Sequence, residues 1–531
     1  SGIEAVVGST KTDNLTMLDQ MTGGNINLAG GADRLVLADF ENTLTIASIE
    51  TLIGGSEDDK IVVSGLLTKG MIDLGDGEDS LTLGGAANSL TVMNTETIIG
   101  GSSTDYVFLG TQPTAGEFTV DLAGGGDTLV LAATGNTLSV SNVETLTGQG
   151  GDDTIYIIGA ATGLSIDLDS GTDTLNISDG GGTLTVSNIE IINAEDTDSA
   201  SVITLHAAIT GGSVSLGYGT GDKLTLGSYV NTLSIQGIET VTGGRSADTV
   251  HVQGKMTQGL IDLGAGNDTL NLSAATAAVS ITVANVETVT GSSYADMITV
   301  TGDQTGSLIN LGGGGDTLLI NANVTVTVAN AETITGDLNI QSITLVDAYS
   351  GEIDLGEGND TLVLDESTSS SLNTITIKSI ETVTGSSDAD VIYLGSAVSI
   401  TKIDLGAGND TVNLFSGGGT VTLSSVETVA GGVGIDVVSF STQVTGSHVS
   451  LGDNIDTVTF GNFDNTATLA NVESILGGNS ADTITLSGEV TGITIDLSNG
   501  NDILAFGSGN TTVSVINVES IVGASGNDTV Y

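Results

Sequence analysis

The sequence has few of the residues on which many classes of protein depend. It contains no Cys, no Trp and one Pro, and Lys plus Arg total 9 against 65 Asp plus Glu in 531 residues. Without Cys, neither a disulfide framework nor a thiolate metal site can form. A formal net charge of −56 excludes the basic stripe of a nucleic-acid binder and disfavours anionic membrane surfaces. The same charge favours cations as partners.

Long apolar runs are also missing. None approaches the ~18 residues of a membrane-spanning helix, and the opening SGIEAVVGS has neither a basic start nor an apolar signal segment. We therefore predict no membrane insertion. Hydrophobic residues still make up 39% of the chain, whereas disorder requires low hydrophobicity as well as high charge. An ordered chain is predicted.

One Gly-rich turn recurs along the whole chain. Residues 261–272 read IDLGAGNDTLNL, and residues 403–414 and 353–364 are almost identical. The Asp that closes this turn returns at intervals of 44 to 50 residues, about 47 on average. These first-series aspartates are Asp33, Asp79, Asp127, Asp173, Asp222, Asp268, Asp316, Asp360, Asp410, Asp456 and Asp502.

A second marker has the same period. It is a Glu in segments such as NVETVTG, and it runs from Glu4 to Glu519 in twelve copies. We expect this Glu to be a solvent-exposed corner residue. Two markers with one period predict a single continuous repeat array over residues 1–531, with no separate domains. We also expect the array to be a segment of a longer chain.

The segments between the turns have the pattern of β-strands. Runs such as DTLNL, VSITV and MITV are short, alternating and rich in β-branched residues. The predicted fold is all-β, a parallel β-solenoid (β-roll or β-helix) of about 11 tandem repeats of about 47 residues. We favour two coils of about 23 residues in each repeat; one large coil per repeat is the competing geometry.

A second type of turn lies roughly halfway through most repeats, as in GSSYAD, which ends at Asp296. The fifth repeat (INAEDTDSASVI) and the eighth (TGDLNIQSI) lack it. The second-series aspartates are Asp59, Asp105, Asp153, Asp248, Asp296, Asp390, Asp436 and Asp482, with Asp13 and Asp528 at the two ends.

The turn chemistry suggests calcium. In LGAGND, Gly264 and Gly266 permit positive φ, and a tight turn exposes carbonyl oxygens beside the Asp carboxylate. Ca²⁺ accepts six to eight such oxygens. Carboxylates stacked about 5 Å apart would repel by roughly 3 kcal/mol per pair at an effective dielectric of ~20. We therefore predict multiple calcium ions, with both series of aspartates as ligands. The alternative is that each Asp hydrogen-bonds the backbone of its own turn.

At these residues the chain resembles the RTX, or haemolysin-type, calcium-binding β-roll proteins, whose nonapeptide is G-G-x-G-x-D-x-U-x. Matching stretches include LGDGEDSLTL (74–83), LGGGGDTLLI (311–320) and LGEGNDTLVL (355–364). The resemblance implies one calcium in each stacked turn, type I secretion and an extracellular or bacterial cell-surface location. RTX nonapeptides normally run back to back, whereas here one such turn occurs per repeat. The fourth turn (DSGTD) and the tenth (GDNID) have each lost a glycine.

No catalytic constellation can be assembled from the sequence. The three His residues, His206, His251 and His448, occupy different places in the repeat, so we predict that the protein is not an enzyme. We expect a structural surface protein, a calcium-stabilised rod in an S-layer, sheath or filament. The alternative is the repetitive extender region of a type I-secreted adhesin. Expected partners are neighbouring copies of the same chain, with surface polysaccharide as a further candidate.

Overall fold

The computed structural model describes residues 4–112, 117–178, 180–194, 199–217, 219–365, 372–397 and 401–531. Throughout these ranges the regular elements are β-strands. No helix that could cross a membrane occurs in the described part of the chain. The chain divides into two compact units, Ser1–Leu270 and Asn271–Tyr531.

In the first unit, odd-numbered and even-numbered strands form two separate parallel sheets. The odd-numbered strands are β1 (Ala5–Val7), β3 (Thr22–Asn27), β5 (Thr43–Ala47), β7 (Lys60–Val63), β9 (Ser80–Leu83), β11 (Thr97–Ile99), β13 (Thr119–Asp121), β15 (Thr137–Ser141), β17 (Thr154–Ile157), β19 (Thr174–Ile177), β21 (Ile191–Ala194), β23 (Thr210–Ser215), β25 (Thr232–Gln236) and β27 (Thr249–Val252). The even-numbered strands are β2 (Asn14–Thr16), β4 (Arg34–Val36), β6 (Thr51–Gly55), β8 (Thr68–Gly75), β10 (Ser89–Met93), β12 (Tyr106–Leu109), β14 (Thr128–Val130), β16 (Thr145–Thr147), β18 (Ala161–Asp167), β20 (Gly182–Ser187), β22 (Ser201–Leu205), β24 (Lys223–Thr225), β26 (Thr240–Gly244) and β28 (Thr257–Gly264).

The second unit is built in the same way, and β29 (Thr269–Asn271) lies at the boundary. Its even-numbered strands are β30 (Ser280–Ala284), β32 (Met297–Thr301), β34 (Thr317–Asn321), β36 (Thr333–Thr335), β38 (Ser350–Asp354), β40 (Asn373–Lys378), β42 (Asp390–Leu394), β44 (Thr411–Asn413), β46 (Thr428–Gly432), β48 (Thr445–Gly452), β50 (Thr466–Ala470), β52 (Thr483–Leu486), β54 (Ile503–Ala505) and β56 (Ser520–Val522). Its odd-numbered strands are β31 (Thr288–Thr290), β33 (Gln304–Asn310), β35 (Val324–Ala329), β37 (Gln341–Leu345), β39 (Thr361–Leu364), β41 (Thr382–Thr384), β43 (Thr401–Asp404), β45 (Gly418–Ser424), β47 (Ile435–Phe440), β49 (Thr457–Thr459), β51 (Ser474–Leu476), β53 (Val490–Asp496), β55 (Thr511–Ile516) and β57 (Thr529–Val530).

Within each unit, a strand pairs in parallel with the strands two places before and two places after it in the chain. Arg34 on β4, for example, lies opposite Asn14 on β2 and Thr51 on β6. A coil of the solenoid therefore consists of two strands, one in each sheet. This confirms the predicted all-β parallel solenoid.

The core lies between the two sheets of each unit. Strand β9 shows the pattern: Leu81 and Leu83 point inward and are 0% and 3% exposed, whereas Ser80 and Thr82 face outward. Burying a Leu side chain in this way contributes about 1.5–3 kcal/mol. The alternation of aliphatic and hydroxylic residues in the sequence therefore fixes which face of each strand is buried.

The predicted coil size was wrong. From Asp33 to Asp79, one repeat of the sequence contains five strands, β4 to β8, and the next repeat begins at β9. Five strands make two and a half coils, so a coil averages about 19 residues of the 47-residue repeat. Because five is an odd number, successive repeats begin on opposite sheets of the unit.

The Gly-rich turns pack against the preceding coil. A Cβ atom added at Gly125 would lie 2.8 Å from the carbonyl oxygen of Ser103 and 2.5 Å from Oδ1 of Asp127. Its neighbour Gly124 has nothing within 4 Å of the same position. The second glycine of this turn is therefore required by close contact between coils, and not by its φ angle.

We expect Gly125→Ala to lower the free energy of unfolding by about 1–3 kcal/mol, because the added methyl overpacks the contact between coils. Gly124→Ala is the matched control, and there we expect no loss of stability. Urea unfolding followed by circular dichroism measures both. Equal effects of the two substitutions would contradict the packing argument.

Candidate functional site

The residue just before each strand occupies a position that recurs in every coil. In the repeat that starts at Asp33, this position holds Asp33, Asn42, Glu50, Asp59 and Leu67, ahead of β4, β5, β6, β7 and β8 respectively. Four of the five are polar residues at the edge of an aliphatic core. Their stacking determines what the site can do.

Because each strand pairs with the strand two places further along the chain, the residues that stack along one edge of the solenoid are every second one of these pre-strand residues. Along one edge of the first unit the order is Met21, Asn42, Asp59, Asp79 and Glu96. The N–H of Met21 donates to Oδ1 of Asn42 at 3.0 Å, and the N–H of Asn42 to Oδ1 of Asp59 at 3.0 Å. The N–H of Asp59 donates to Oδ1 of Asp79 at 2.6 Å, and that of Asp79 to Oε2 of Glu96 at 2.7 Å. We call this arrangement the polar ladder.

The polar ladder recurs in the second unit with the same chemistry. There Val444 donates to Asn465 at 3.0 Å, Asn465 to Asp482 at 3.1 Å, Asp482 to Asp502 at 2.8 Å and Asp502 to Glu519 at 2.9 Å. Each side-chain oxygen thus accepts a main-chain N–H from the coil before it. The ladder ties successive coils together at the point where each strand begins.

The first-series aspartates are all buried, at 0% or 1% exposure. Oδ1 takes part in the ladder, but Oδ2 is buried without a hydrogen-bond partner in ten of the eleven. These ten are Asp33, Asp79, Asp127, Asp173, Asp222, Asp316, Asp360, Asp410, Asp456 and Asp502. In the eleventh, Asp268, Oδ1 accepts the N–H of Asp248 at 2.7 Å. A buried carboxylate oxygen without a donor is costly unless a proton or a cation compensates it.

The second-series aspartates from Asp59 to Asp482 are buried as well, and they form two groups. One carboxylate oxygen is buried without a hydrogen-bond partner in Asp59, Asp153, Asp248 and Asp436, whereas the other four have both oxygens bonded. Oδ2 accepts an N–H from its own turn, four residues earlier, at 2.8 to 3.1 Å in Asp105, Asp296, Asp390 and Asp482. Oδ1 of these four accepts from the coil before. This is the alternative given in the sequence analysis, in which each Asp hydrogen-bonds the backbone of its own turn. Because both oxygens of these four carboxylates already accept hydrogen bonds, they do not need a cation as a further partner. Calcium at these positions stays a prediction.

The two repeats without a second-series Asp keep the ladder by other means. Ser201 and Gln341 occupy the missing positions, and each is fully buried. The N–H of Ser201 donates to Oδ1 of Asp222, and that of Gln341 to Oδ1 of Asp360, both at 2.7 Å. A neutral residue is therefore tolerated at the second-series position.

Two rows of ladder residues were misjudged or missed from the sequence. The Glu row was expected at exposed corners, and this is only partly so: four of the twelve are exposed, seven are half-buried, and Glu96 is 7% exposed and accepts the N–H of Asp79. The Asn row was not predicted, although each member is at most 2% exposed: Asn42, Asn88, Asn136, Asn231, Asn373 and Asn465. A signal existed, since in five of the eleven repeats Asn follows the first-series Asp by nine residues.

Burial and stacking raise the pKa of the first-series carboxyls. The pKa of Asp79 rises to about 7, first because of desolvation and then through repulsion from Asp59, Glu96 and Asp58. For the same reasons the pKa rises to about 6 in a further group: Asp173, Asp316, Asp360, Asp410 and Asp456. The ladder therefore holds more negative charge than its surroundings favour.

The residues fit a bound cation in part. The carbonyl oxygen of Ser103 and Oδ1 of Asp127 both lie close to Gly125, and they are the two kinds of oxygen that Ca²⁺ accepts. Across the described residues, no group of three or more His, Cys, Asp or Glu side chains is arranged to hold a metal. A cation at the first series would therefore depend on main-chain carbonyls and water beside the Asp oxygen. No protein-family model and no curated protein matches this chain.

Stability in metal-free buffer should fall as the pH rises. Asp79 has a folded pKa of about 7 against 3.8 when unfolded. The folded state therefore holds the proton more tightly, and the resulting stabilisation is complete below about pH 4 and is lost as the pH rises through about 7. We expect the urea midpoint to decrease between pH 4 and pH 8. Asp79→Asn should weaken this dependence, whereas Asp76→Asn, an exposed control in the same turn, should preserve it.

Removing the Glu acceptor should destabilise the ladder. Glu96→Ala leaves the buried N–H of Asp79 without a partner, which costs about 1–3 kcal/mol. Glu96→Gln keeps an oxygen in place and should retain most of that stability. Thermal unfolding at one pH measures both variants. Identical losses would show that the hydrogen bond to Asp79 contributes little.

Proposed function

We propose that this chain is a structural extracellular surface protein, a calcium-stabilised repeat rod belonging to an S-layer, sheath or filament. The proposal includes kinship with the RTX proteins, a bacterial cell-surface location and a non-enzymatic role. The observation that carries it is the set of ten buried first-series carboxylates whose Oδ2 has no hydrogen-bond donor. Such oxygens recur along both units of the array and are not confined to one local site.

Electrostatics supports a cation at the first series. Asp79 is stacked between Asp59 and Glu96 in neighbouring coils, and each close pair of carboxylates repels by roughly 3 kcal/mol at an effective dielectric of ~20. The chain has only 9 basic residues for 65 acidic ones, so salt bridges cannot offset this repulsion along the array. Bound Ca²⁺ would neutralise the first-series Asp and supply the partner that Oδ2 lacks.

The regular repetition supports a structural role. Every polar ladder ties one coil to the next through main-chain N–H groups, so ordering one coil favours ordering its neighbour. Cations that bind only the ordered coils would stabilise the folded rod by mass action. The rod would then be stiff outside the cell, where the calcium concentration is high.

Calcium should raise the melting temperature in a way that depends on the first series. We expect excess EGTA to reduce the far-UV circular dichroism signal of the strands at neutral pH, and added Ca²⁺ to restore it. Asp127→Asn should reduce the calcium-dependent rise in melting temperature by about the contribution of one calcium site. Asp121→Asn, on the outward side of the same segment, should leave the rise unchanged.

Electron microscopy with and without Ca²⁺ then tests the assembly. Sheets or filaments that form only with Ca²⁺ would support the proposed role, and isolated rods would favour the adhesin extender. A melting temperature and a circular dichroism spectrum that do not respond to EGTA would overturn the calcium proposal.

A further inference from the structure

The odd-numbered sheet of the second unit carries a long outward face with very little charge. From β35 to β49, one column of outward side chains continues through eight neighbouring strands in register. It consists of Thr325, Ser342, Thr361, Thr382, Lys402, Thr422, Ser439 and Thr459. A second column beside it consists of Thr327, Thr344, Val363, Thr384, Asp404, Ser424 and Ser441. Within this column Ser424 is covered, at 2% exposure, and its hydroxyl is hydrogen-bonded to that of Ser441. We call these two columns the hydroxyl face.

The charges of the hydroxyl face are arranged in a particular way. Among its residues, Lys402 and Asp404 alone are charged, and they lie side by side on β43, the fifth of the eight strands. Lys402 is exposed and Asp404 is half-buried. The even-numbered sheet presents more charge over similar coils, with Glu352, Asp354 and Lys378 on its strands. The hydroxyl face is therefore nearly neutral and is centred on one pair of opposite charges.

We propose that the hydroxyl face docks against the same face of a second copy of this chain. A two-fold axis between Lys402 and Asp404 would place each of these residues opposite the other residue of the partner copy. Such an interface is isologous, because one patch is complementary to itself. This axis runs along the two columns, so that each column of one copy faces the other column of the second copy.

Charge also argues that the partner is a second copy. At a net charge of −56, copies repel through any surface that presents acidic groups, and this repulsion extends over about 8–10 Å at ordinary salt. The turns carry many of those groups, for example the exposed Glu357 and Asp453. The hydroxyl face lets two copies approach with no like charges opposed.

The contact should be weak on its own. Eight strands at ~4.8 Å span about 38 Å, and two outward side chains per strand give a width of about 10 Å, or about 400 Å² on each copy. This is about half of the ~800 Å² per partner in a typical stable complex. Repetition of the contact in an assembly would add avidity. The inference rests on the proposed structural role and names the surface through which copies meet.

Charge variants test the face by sedimentation velocity over a concentration series. We expect reversible dimers of the full chain, and we expect Lys402→Glu and Asp404→Lys each to weaken dimer formation about tenfold. Asp404→Lys is the sharper test because it lowers the net negative charge, so general repulsion alone would predict tighter association. The double variant Lys402→Asp with Asp404→Lys should restore dimerisation to within about threefold.

Lys60→Glu on β7 makes the same charge change as Lys402→Glu outside the hydroxyl face and should leave dimer formation unchanged. Matching circular dichroism spectra would establish that every variant keeps the fold. A wild-type chain that stays monomeric, or single variants that behave like Lys60→Glu, would overturn the inference. If calcium-dependent assemblies form while these charge variants have no effect, the face is wrong although the structural role stands.

Discussion

The structure depends on one hydrogen bond repeated from coil to coil, in which a main-chain N–H just before a strand donates to a side-chain oxygen one coil further on. Asp59 to Asp79 at 2.6 Å and Asp79 to Glu96 at 2.7 Å are examples. A buried main-chain donor left unpaired would cost about 1–3 kcal/mol. Short polar side chains at the edge of the core remove that cost, and they also fix which coil residues stack on one another.

Satisfying the main chain with carboxylates creates a second problem. In ten of the eleven first-series Asp residues, only one carboxylate oxygen is used by the ladder, and the other is buried without a donor. A neutral amide oxygen could accept the same N–H without a charge, as Oδ1 of Asn42 does from the N–H of Met21. The hydrogen bond alone therefore does not explain why every first-series position holds Asp. A cation or a proton that compensates the second carboxylate oxygen would explain it.

The fold separates the charge of the molecule by location. Ladder carboxylates lie inside the edges, other acidic residues such as Asp76 lie on exposed turns, and many outward positions of the sheets carry Thr or Ser. This separation follows from alternation, because a strand residue points either into the aliphatic core or outward. Acidic edges and nearly neutral faces suit a protein that packs against copies of itself, as the proposed function and the hydroxyl face require.

The sequence by itself determined the class of fold. The 47-residue period, the alternating strands such as SLTL at 80–83 and the Gly-Asp turns predict a parallel solenoid, because these are local properties of composition and periodicity. The chemistry of individual acidic residues was less accessible. Asp79, Glu96 and Asn42 are all polar residues next to a strand, and nothing local distinguishes an exposed corner from a buried acceptor.

Only the tertiary structure decided how the repeats wind and which residues meet. Five strands per repeat give two and a half coils, so Asp59 stacks on the Asp79 of the following repeat and not on its own counterpart, Asp105. Partners in the ladder lie 16 to 24 residues apart, and no count along the sequence reveals that distance until the strands have paired. The physical reason is that parallel pairing joins alternate strands, so contacts follow the size of the coil and not the period of the sequence.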